Sequence, residues 1–521
     1  MRNPLRYRVW YTFRQRVVTT IVVAAIVIGG GWYGVDRLTD RSCGPHGVAK
    51  PKGSDECIGV SGDGYDFGMR GLTAVAKAIG EENAGLKTAE DKPVVYATVA
   101  VLLPLTTRDE GMGTKVLHEL QGAFAAQYRA NHSLTGETPK IRLVLANTGS
   151  DNAFAPDVAR QLTTMTGAPD NLRAVTGVAT SNEQVERAVA TLTGKDIAVV
   201  GTTITADNIA NGPGGERFPG LARVSPTNQD EASALAQLPT VDPTKAVLVY
   251  GEGTKDRYTD TLRSAFEQRL RGKALYESKS FTAPADPTQE GDLNSRFRDI
   301  TMLVCGMKQV NTVFFAGRHT QLRQFVNALG ERGCYQDQPL TVVTGDEGSY
   351  LGADEKLDRT ALTHNLTVQY AALAHPDAWV AKPGRPVPAT GGSAADFRNF
   401  LDALTAVGKA PGGRVGPFAH KDLLDGQVIV AYDAMTTAVQ GIWQAPPGDK
   451  GMPPIADVGK QWSVMQGVLK VKGAGGWICF DKYGNPYDKA IPVVRLTAKG
   501  IPEFVRIVWP KRSAPPPNCT P

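Results

Sequence analysis

Residues 173–205 read RAVTGVATSNEQVERAVATLTGKDIAVVGTTIT and follow the pattern of a strand, a helix and a second strand. Ser181 stands three residues before Gln184, which is the S-x-x-Q spacing of a helix capping box. Gly194 suits the end of that helix, and the apolar run 197–200 is typical of a short buried strand. Three apolar residues at helical spacing would face a core, namely Val185, Val189 and Leu192. The stretch therefore predicts a β-α-β unit with two parallel strands.

The carboxyl ends of these two predicted strands carry hydroxyl side chains at one edge of the sheet. Thr180 and Ser181 follow the first strand, and Thr202 and Thr203 follow the second. Open α/β sheets bind ligands at this edge, and free N–H groups at the start of a helix suit a carboxylate. In the alternative interpretation, Ser181 only caps the helix and the threonines only form turns. We treat these four residues as candidate ligand contacts.

The N-terminal residues have the charge pattern of a membrane signal-anchor. Residues 1–16 contain five arginines and no acid, and Val17–Val35 contain no charged residue. A run of this length can span a bilayer as a helix, and the arginine cluster predicts a cytoplasmic N-terminus. We therefore expect a single-pass cell-membrane protein whose main domain is extracellular or periplasmic. A cleaved signal peptide is the alternative, although no small-x-small site follows the apolar run.

The charge of the rest of the chain is balanced. The chain has 57 basic and 52 acidic residues, so removing the five leading arginines leaves 52 of each. A nucleic-acid-binding surface needs a cluster of excess positive charge, so this function class is not expected. The cysteines and histidines do not have the spacing of a zinc site, and we predict no metal and no cofactor.

The six cysteines indicate disulfides, because an even number in an exported domain is typical of disulfide-bonded proteins. Six cysteines allow fifteen pairings. We expect the local pairs, which are Cys43–Cys57, Cys305–Cys334 and Cys479–Cys519. In the alternative interpretation some cysteines, Cys305 in particular, are buried free thiols.

Strand and helix patterns alternate from residue 93 onward, which predicts parallel sheets covered by helices. The pattern restarts after Pro239 and Pro243, so we expect an α/β protein of two Rossmann-like lobes preceded by one N-terminal transmembrane helix. The predicted boundaries are 1–16 for a cytoplasmic N-terminus, 17–35 for the transmembrane segment, 36–92 for a stalk and one helix, 93–240 and 365–465 for lobe 1, 241–364 and 466–510 for lobe 2, and 511–521 for a tail.

Seven segments occur in an order that one protein family shares. They are VTGVATS (175–181), VVGTTIT (199–205), RVSPTNQDEASALA (223–236), VLVYGEGTKDRYTDTL (247–262), VVTGDEG (342–348), AYDAMTTAV (431–439) and ICFDKYGNP (478–486). With these segments the chain resembles the type I periplasmic binding proteins, in the branch of the leucine/isoleucine/valine-binding components of ABC transporters. The resemblance covers roughly residues 93–500 and implies two lobes that are joined by a three-strand hinge and close on a ligand.

The resemblance also implies roles for residues of both lobes. Ser181 falls where a hydroxyl meets the ligand carboxylate, and Thr202 and Thr203 fall in the second carboxylate-binding loop. The family's threonine in this loop aligns with Ile204 or, with a one-residue shift, with Thr205.

In lobe 2 the resemblance implies an aromatic contact and a charged partner for the ligand. Tyr258 falls where an aromatic side chain closes on the ligand, and Glu347, with Asp346 beside it, falls where a carboxylate pairs with an ammonium group. Arg318, followed by His319, stands where amino-acid binders often have a tyrosine, which favours an additional acidic group on the ligand. In the alternative interpretations Tyr258 is a core residue, Arg318 is a solvated arginine and Glu347 is a turn residue.

These observations predict a membrane-anchored extracellular solute-binding protein. It would capture a small amino-acid-like, or other zwitterionic or anionic, ligand and present it to the permease subunits of an ABC transporter. The alternative is a receptor domain that senses a ligand and acts with a separate signalling partner, and a third possibility is a scaffold that has lost its ligand. An enzyme is not expected, because the sequence lacks an HExxH motif, a G-x-S-x-G elbow and a Walker loop.

Overall fold

The computed structural model describes residues 12–22, 43–86, 94–134, 136–212, 215–253, 256–282, 293–409, 415–416 and 418–520. Residues 13–22 are helical, and no helix within these described ranges is long and apolar enough to cross a membrane. The predicted localisation as a single-pass membrane protein is corrected on this finding. Residues 23–35, the larger part of the predicted transmembrane segment, lie outside the described residues.

The described chain forms two seven-stranded sheets covered by helices. The strands are β1 (Val48–Ala49), β2 (Ile58–Ser61), β3 (Tyr96–Leu103), β4 (Lys140–Asn147), β5 (Leu172–Gly177), β6 (Ala198–Gly201), β7 (Leu221–Arg223), β8 (Ala246–Glu252), β9 (Lys279–Thr282), β10 (Thr312–Ala316), β11 (Leu340–Thr344), β12 (Leu366–Ala371), β13 (Ile491–Leu496) and β14 (Pro502–Val508). The helices are α1 (Thr73–Gly85), α2 (Glu110–His132), α3 (Ala155–Thr163), α4 (Glu183–Thr193), α5 (Asn228–Leu235), α6 (Arg257–Leu270), α7 (Asn294–Gly306), α8 (His319–Gly330), α9 (Ala394–Val407), α10 (Gln427–Gln444) and α11 (Ile455–Val458).

The first sheet has the order β1-β2-β4-β3-β5-β6-β7 and is the centre of lobe 1. The strands from β4 to β7 are parallel, and the predicted unit β5-α4-β6 lies within them. Strands β1 and β2 extend the sheet antiparallel to β4. The region 36–92 therefore differs from the predicted stalk, because Ile58–Ser61 completes the sheet and α1 packs against β4 and α2.

The second sheet has the order β14-β13-β12-β11-β10-β8-β9 and is the centre of lobe 2. The strands from β12 to β9 are parallel, and β13 and β14 add an antiparallel edge. The predicted lobe boundary at residue 365 differs from the structure, because β12 pairs with β11 from Leu340–Leu366 to Thr344–Tyr370. The expectation of two mainly parallel sheets covered by helices is confirmed.

The chain passes between the two sheets three times. The passages lie between β7 and β8, after β12, and before β13. After the second passage the chain forms α9 and α10, which pack on α2 of lobe 1, and α10 also covers β5 and β6. Lobe 1 is therefore completed only by residues that follow most of lobe 2 in the sequence.

Both sheets bury apolar side chains on their two faces, as parallel sheets between helix layers do. In β3, Val99 and Val101 belong to one core cluster while Ala100 and Leu102 belong to the other, because successive side chains point to opposite faces. Strand β10 repeats the pattern in lobe 2, where Phe315 lies in one cluster and Phe314 in the other. These four clusters hold the strand ends of the two lobes in fixed positions.

All six cysteines form disulfides, and the pairs are the three predicted local ones. The Cα–Cα distances are 5.8 Å for Cys43–Cys57, 5.6 Å for Cys305–Cys334 and 6.0 Å for Cys479–Cys519. The last pair ties the C-terminal tail to the segment that precedes β13.

We expect the Cys479→Ser/Cys519→Ser double variant to lose about 3–4 kcal/mol of unfolding free energy. The bond joins residues 40 apart, and its removal frees a loop in the unfolded chain. Non-reducing peptide mapping would verify the three native pairs, and urea denaturation would measure the loss. Free thiols or shuffled pairs in the native protein would contradict the pairing.

Candidate functional site

The predicted site residues of the two lobes meet at the facing carboxyl ends of the two sheets. The backbone carbonyl oxygen of Ser181 accepts the N–H of Tyr258 at 3.3 Å and a hydrogen bond from Arg318 Nη2 at 3.4 Å. The backbones of Asn182 and Asp256 form a bridge beside this contact. All eight predicted side chains are buried there, namely Thr180, Ser181, Thr202, Thr203, Tyr258, Arg318, Asp346 and Glu347.

The start of α4 differs in detail from the predicted capping box. Helix α4 begins at Glu183, and the cap is Asn182, whose Oδ1 accepts the N–H of Val185 at 2.9 Å. Ser181 lies one residue earlier, and its hydroxyl oxygen accepts the N–H of Ala206 at 3.4 Å. Both residue types can cap a helix, and the structure uses Asn182 for this purpose. The Ser181 hydroxyl hydrogen is therefore not needed by the helix.

The two threonine loops of lobe 1 surround a buried lysine. Lys115 of α2 donates to the Thr203 hydroxyl and to the carbonyl oxygen of Ala179, both at 2.8 Å. The Thr202 hydroxyl lies 2.8 Å from Glu119 Oε2 and 2.5 Å from the carbonyl oxygen of Gly177. Lys115 brings a positive charge to loops that otherwise offer hydroxyl and N–H groups, which suits a carboxylate.

Sequence reasoning did not find Lys115 or Glu119. Their spacing of four residues on one helix was the available signal, and their charged atoms lie 3.7 Å apart. Such pairs are usually solvated, whereas both side chains here are almost completely buried under the β5 and β6 loops. Only the tertiary packing of α2 on the sheet distinguishes this pair from a surface pair.

Lobe 2 contributes a buried cluster of charges around Arg318. The guanidinium group binds both oxygens of Asp256, with Nε at 2.9 Å and Nη2 at 2.5 Å. Its Nη1 donates to Glu347 Oε1 at 2.6 Å, and its Cζ lies 4.6 Å from the centre of the Tyr258 ring. The positive charge of Arg318 is therefore already matched by two carboxylates of its own lobe.

Glu347 is also fully engaged within lobe 2. Its Oε2 accepts the backbone N–H of His319 at 2.9 Å and lies 2.9 Å from Nδ1 of the same residue. Burial acts to raise the pKa of Glu347, but Arg318 and His319 outweigh it and hold the pKa well below its usual range. The contacts of Glu347 favour a structural role for this carboxylate over the predicted contact with a ligand ammonium.

His319 connects the cluster to lobe 1. Its Nε2 lies 3.6 Å from Oδ1 of Asp109, the cap of α2. Burial favours a lower pKa for His319, but the hydrogen bonds and charges of Asp109 and Glu347 raise it to about 9. The imidazole is therefore positively charged at neutral pH.

An ion-pair cluster at the rim of the cleft and a groove at its mouth also involve both lobes. Glu186 of α4 binds Arg217 of lobe 1 and, at 2.9 Å, the Nε atom of Arg257 at the start of α6. A groove of about 690 Å³ opens beside His319 and is lined by Arg108, Asp109 and Thr114 of lobe 1 and by Thr320, Tyr350 and Lys356 of lobe 2. The groove gives solvent a path to the interlobe cluster.

No protein-family model matches the chain, and the comparison with curated proteins finds no match. Solved structures do match. A leucine-binding protein from Thermotoga maritima is 15% identical with a TM-score of 0.55, and the match covers 80% of this chain and 99% of that one. A branched-chain amino acid transporter substrate-binding protein from Streptococcus pneumoniae, solved with isoleucine, is 16% identical with a TM-score of 0.55 over 80% and 99% of the two chains.

A solute-binding protein of an ABC transporter from Rhodopseudomonas palustris, solved with 3,4-dihydroxybenzoic acid, is 14% identical. Its TM-score is 0.51, and the match covers 80% of this chain and 96% of that one. At these identities the likeness concerns the fold. The chain has the fold of the type I periplasmic binding proteins, which confirms the expectation from the seven segments.

Proposed function

We propose that the chain is a solute-binding protein that captures a small amino-acid-like ligand between its lobes and presents it to an ABC transporter. The observation that carries the proposal is the meeting of two complementary polar faces. Lobe 1 offers the hydroxyl of Ser181 and the ammonium group of Lys115, which suit a ligand carboxylate. Lobe 2 offers an acid-rich face around Asp346, which suits a ligand cation.

The proposed mechanism is a population shift between open and closed arrangements of the lobes. Three chain passages connect the lobes, so a rotation about them would separate the faces without unfolding either sheet. A ligand that contacts both faces binds the closed arrangement better and therefore increases its population. A receptor that signals through a separate partner would use the same closure, and binding of the closed protein to a permease would separate the two functions.

A thermal-shift screen of the full chain against amino acids, short peptides, amides and organic acids tests the proposal. A ligand at about one hundred times its dissociation constant stabilises a protein by roughly 2.7 kcal/mol, which is easily measured. Binding of an amino-acid-like compound would support the proposal. The absence of a shift with every compound would contradict it.

We expect Ser181→Ala to weaken ligand binding by roughly 1–3 kcal/mol. Ser181 is 2% exposed, and a desolvated ligand oxygen would lose its donor there. Calorimetry with the compound identified by the screen measures the change. Ser264→Ala, on the exposed side of α6, is the matched control and should bind like the wild type. Unchanged affinity in Ser181→Ala would exclude this residue from the carboxylate site.

A further inference from the structure

A small pocket at the far end of α6 is lined by three positively charged side chains. It has a volume of about 150 Å³ and lies between α5, the C-terminal end of α6 and the tail that follows β14. Arg269 belongs to α6, Lys273 to the turn after it, and Arg512 to the tail. At 1.5 Å per residue, Arg269 lies about 16 Å along the helix from Tyr258. The pocket is therefore separate from the site between the lobes.

The three cations of the pocket have no carboxylate partner in the part of the chain that the structure describes. No carboxylate oxygen there lies within 4.0 Å of the charged nitrogens of Arg269, Lys273 or Arg512. Asp242 belongs to a segment that lines the pocket, but its Oδ2 lies 4.0 Å from Lys245 instead. Like charges around one small pocket repel each other, and an anion between them would replace this repulsion by attraction.

The guanidinium group of Arg269 is held in place and still has a buried donor to spare. Its Nη2 donates to the hydroxyl oxygen of Ser233 on α5. Its Nε is buried and has no hydrogen-bond partner among the described residues. A buried donor without an acceptor is costly, and the guanidinium fork matches the oxygens of phosphate and similar anions. An oxyanion in the pocket offers the acceptor that Arg269 lacks.

The end of helix α6 explains only part of this cluster. Cations are favoured near a helix C-terminus, which accounts for Arg269 and Lys273 but not for Arg512. Gln237 Nε2 holds the tail by donating to the carbonyl oxygen of Trp509 at 3.0 Å. Arg512 has a φ of 73°, in the left-handed region that residues other than glycine seldom adopt. The tail is therefore fixed in a specific turn that brings a third cation to the pocket.

We propose that this pocket binds a compact oxyanion of the phosphate or sulfate class through Arg269, Lys273 and Arg512. Sites for larger organic ligands usually enclose about 300–1,000 Å³, so a pocket of this size suits a small ion. Val241 and Pro243, between β7 and β8, also line the pocket. The bound anion would therefore link α6, the first passage between the lobes and the tail.

The first test is thermal unfolding of the full chain with inorganic phosphate and with sulfate. Sodium chloride keeps the ionic strength constant, because salt alone screens exposed charges. A ligand that binds only the folded state raises Tm, and we expect an increase of about 2–4 °C at saturating phosphate. Chloride at the same ionic strength should leave Tm unchanged.

The second test is calorimetry with phosphate on two double variants. Lys273→Gln/Arg512→Gln removes two exposed cations of the pocket, so the fold should be kept. Its affinity for phosphate should fall at least about tenfold, because charge-assisted hydrogen bonds are lost. Arg271→Gln/Lys308→Gln removes the same charge from exposed positions of lobe 2 outside the pocket and should bind phosphate like the wild type.

Four results would overturn the proposal. They are an equal rise in Tm with chloride, no rise with either phosphate or sulfate, unchanged affinity in Lys273→Gln/Arg512→Gln, and equal loss of affinity in the two double variants. None of these measurements uses a solute bound between the lobes. Failure of the anion pocket would therefore leave the proposed function standing, and failure of the solute screen would leave the anion pocket standing.

Discussion

Arg318→Ala is expected to lower the free energy of unfolding by about 3–5 kcal/mol. Arg318 is 8% exposed and its guanidinium group holds Asp256 and Glu347 in place, so its removal leaves two buried carboxylates with less compensation. Leaving a buried charge unpaired is among the most destabilising single changes in proteins. Urea denaturation monitored by circular dichroism measures the loss.

Arg298→Ala is the matched control for this prediction. Arg298 also lies in lobe 2 and pairs with Glu331 at 3.5 Å, but both side chains are about two-thirds exposed. Exposed ion pairs contribute little to stability, so this variant should unfold nearly like the wild type. Equal effects of the two substitutions would show that the Arg318 cluster does not stabilise lobe 2.

Asp346→Asn is expected to stabilise the protein at pH 8 by an amount on the order of a few kcal/mol. Burial first, and the charge of Glu347 second, raise the pKa of Asp346 to about 7 in the folded protein, and it would return to its ordinary value of 3.8 in the unfolded chain. Between these values the folded state binds more protons, so the stability of the wild type falls as pH rises from about 4 to 7. Asparagine binds no proton, so the variant lacks this fall.

Thermal unfolding of both proteins between pH 4 and 9 measures the difference. His319 adds a separate loss of stability as pH rises through its folded pKa of about 9, but this loss is common to wild type and variant. The difference between the two curves therefore reports on Asp346 together with Glu231, whose pKa is raised by burial and by the charge of Asp346. Parallel curves from pH 4 to 8 would show that Asp346 is ionised throughout this range.

The local parts of the fold follow directly from the sequence. The β5-α4-β6 unit was predictable because Val185, Val189 and Leu192 recur at helical spacing between two apolar runs, and all three are buried. The place of Ile58–Ser61 in the first sheet was not predictable, because its antiparallel pairing with β4 joins segments far apart in sequence. Strand β12 was likewise assigned to the wrong lobe, because its sequence does not indicate which of the two sheets it joins.

The residues of the candidate site also include some that the sequence predicted and some that it did not. The resemblance brought Ser181, Tyr258 and Arg318 into consideration, and the structure places them in contact. It did not indicate Lys115 or Glu231, because each is a helix residue that only tertiary packing brings to the cleft. The membrane prediction depended on the arginine cluster and on the uncharged run 17–35, whereas no helix of the described residues is long and apolar enough to cross a membrane.

The late position of α10 in the sequence has a consequence during synthesis. Strands β5 and β6 leave the ribosome early, but the helix that covers them ends only at Gln444, after nearly all of lobe 2. At ordinary translation rates of about 5–20 residues per second, one apolar face of the first sheet stays uncovered on the order of 10–50 s. The nascent chain therefore offers a holdase chaperone a binding surface during that interval, and both lobes reach completion at nearly the same moment.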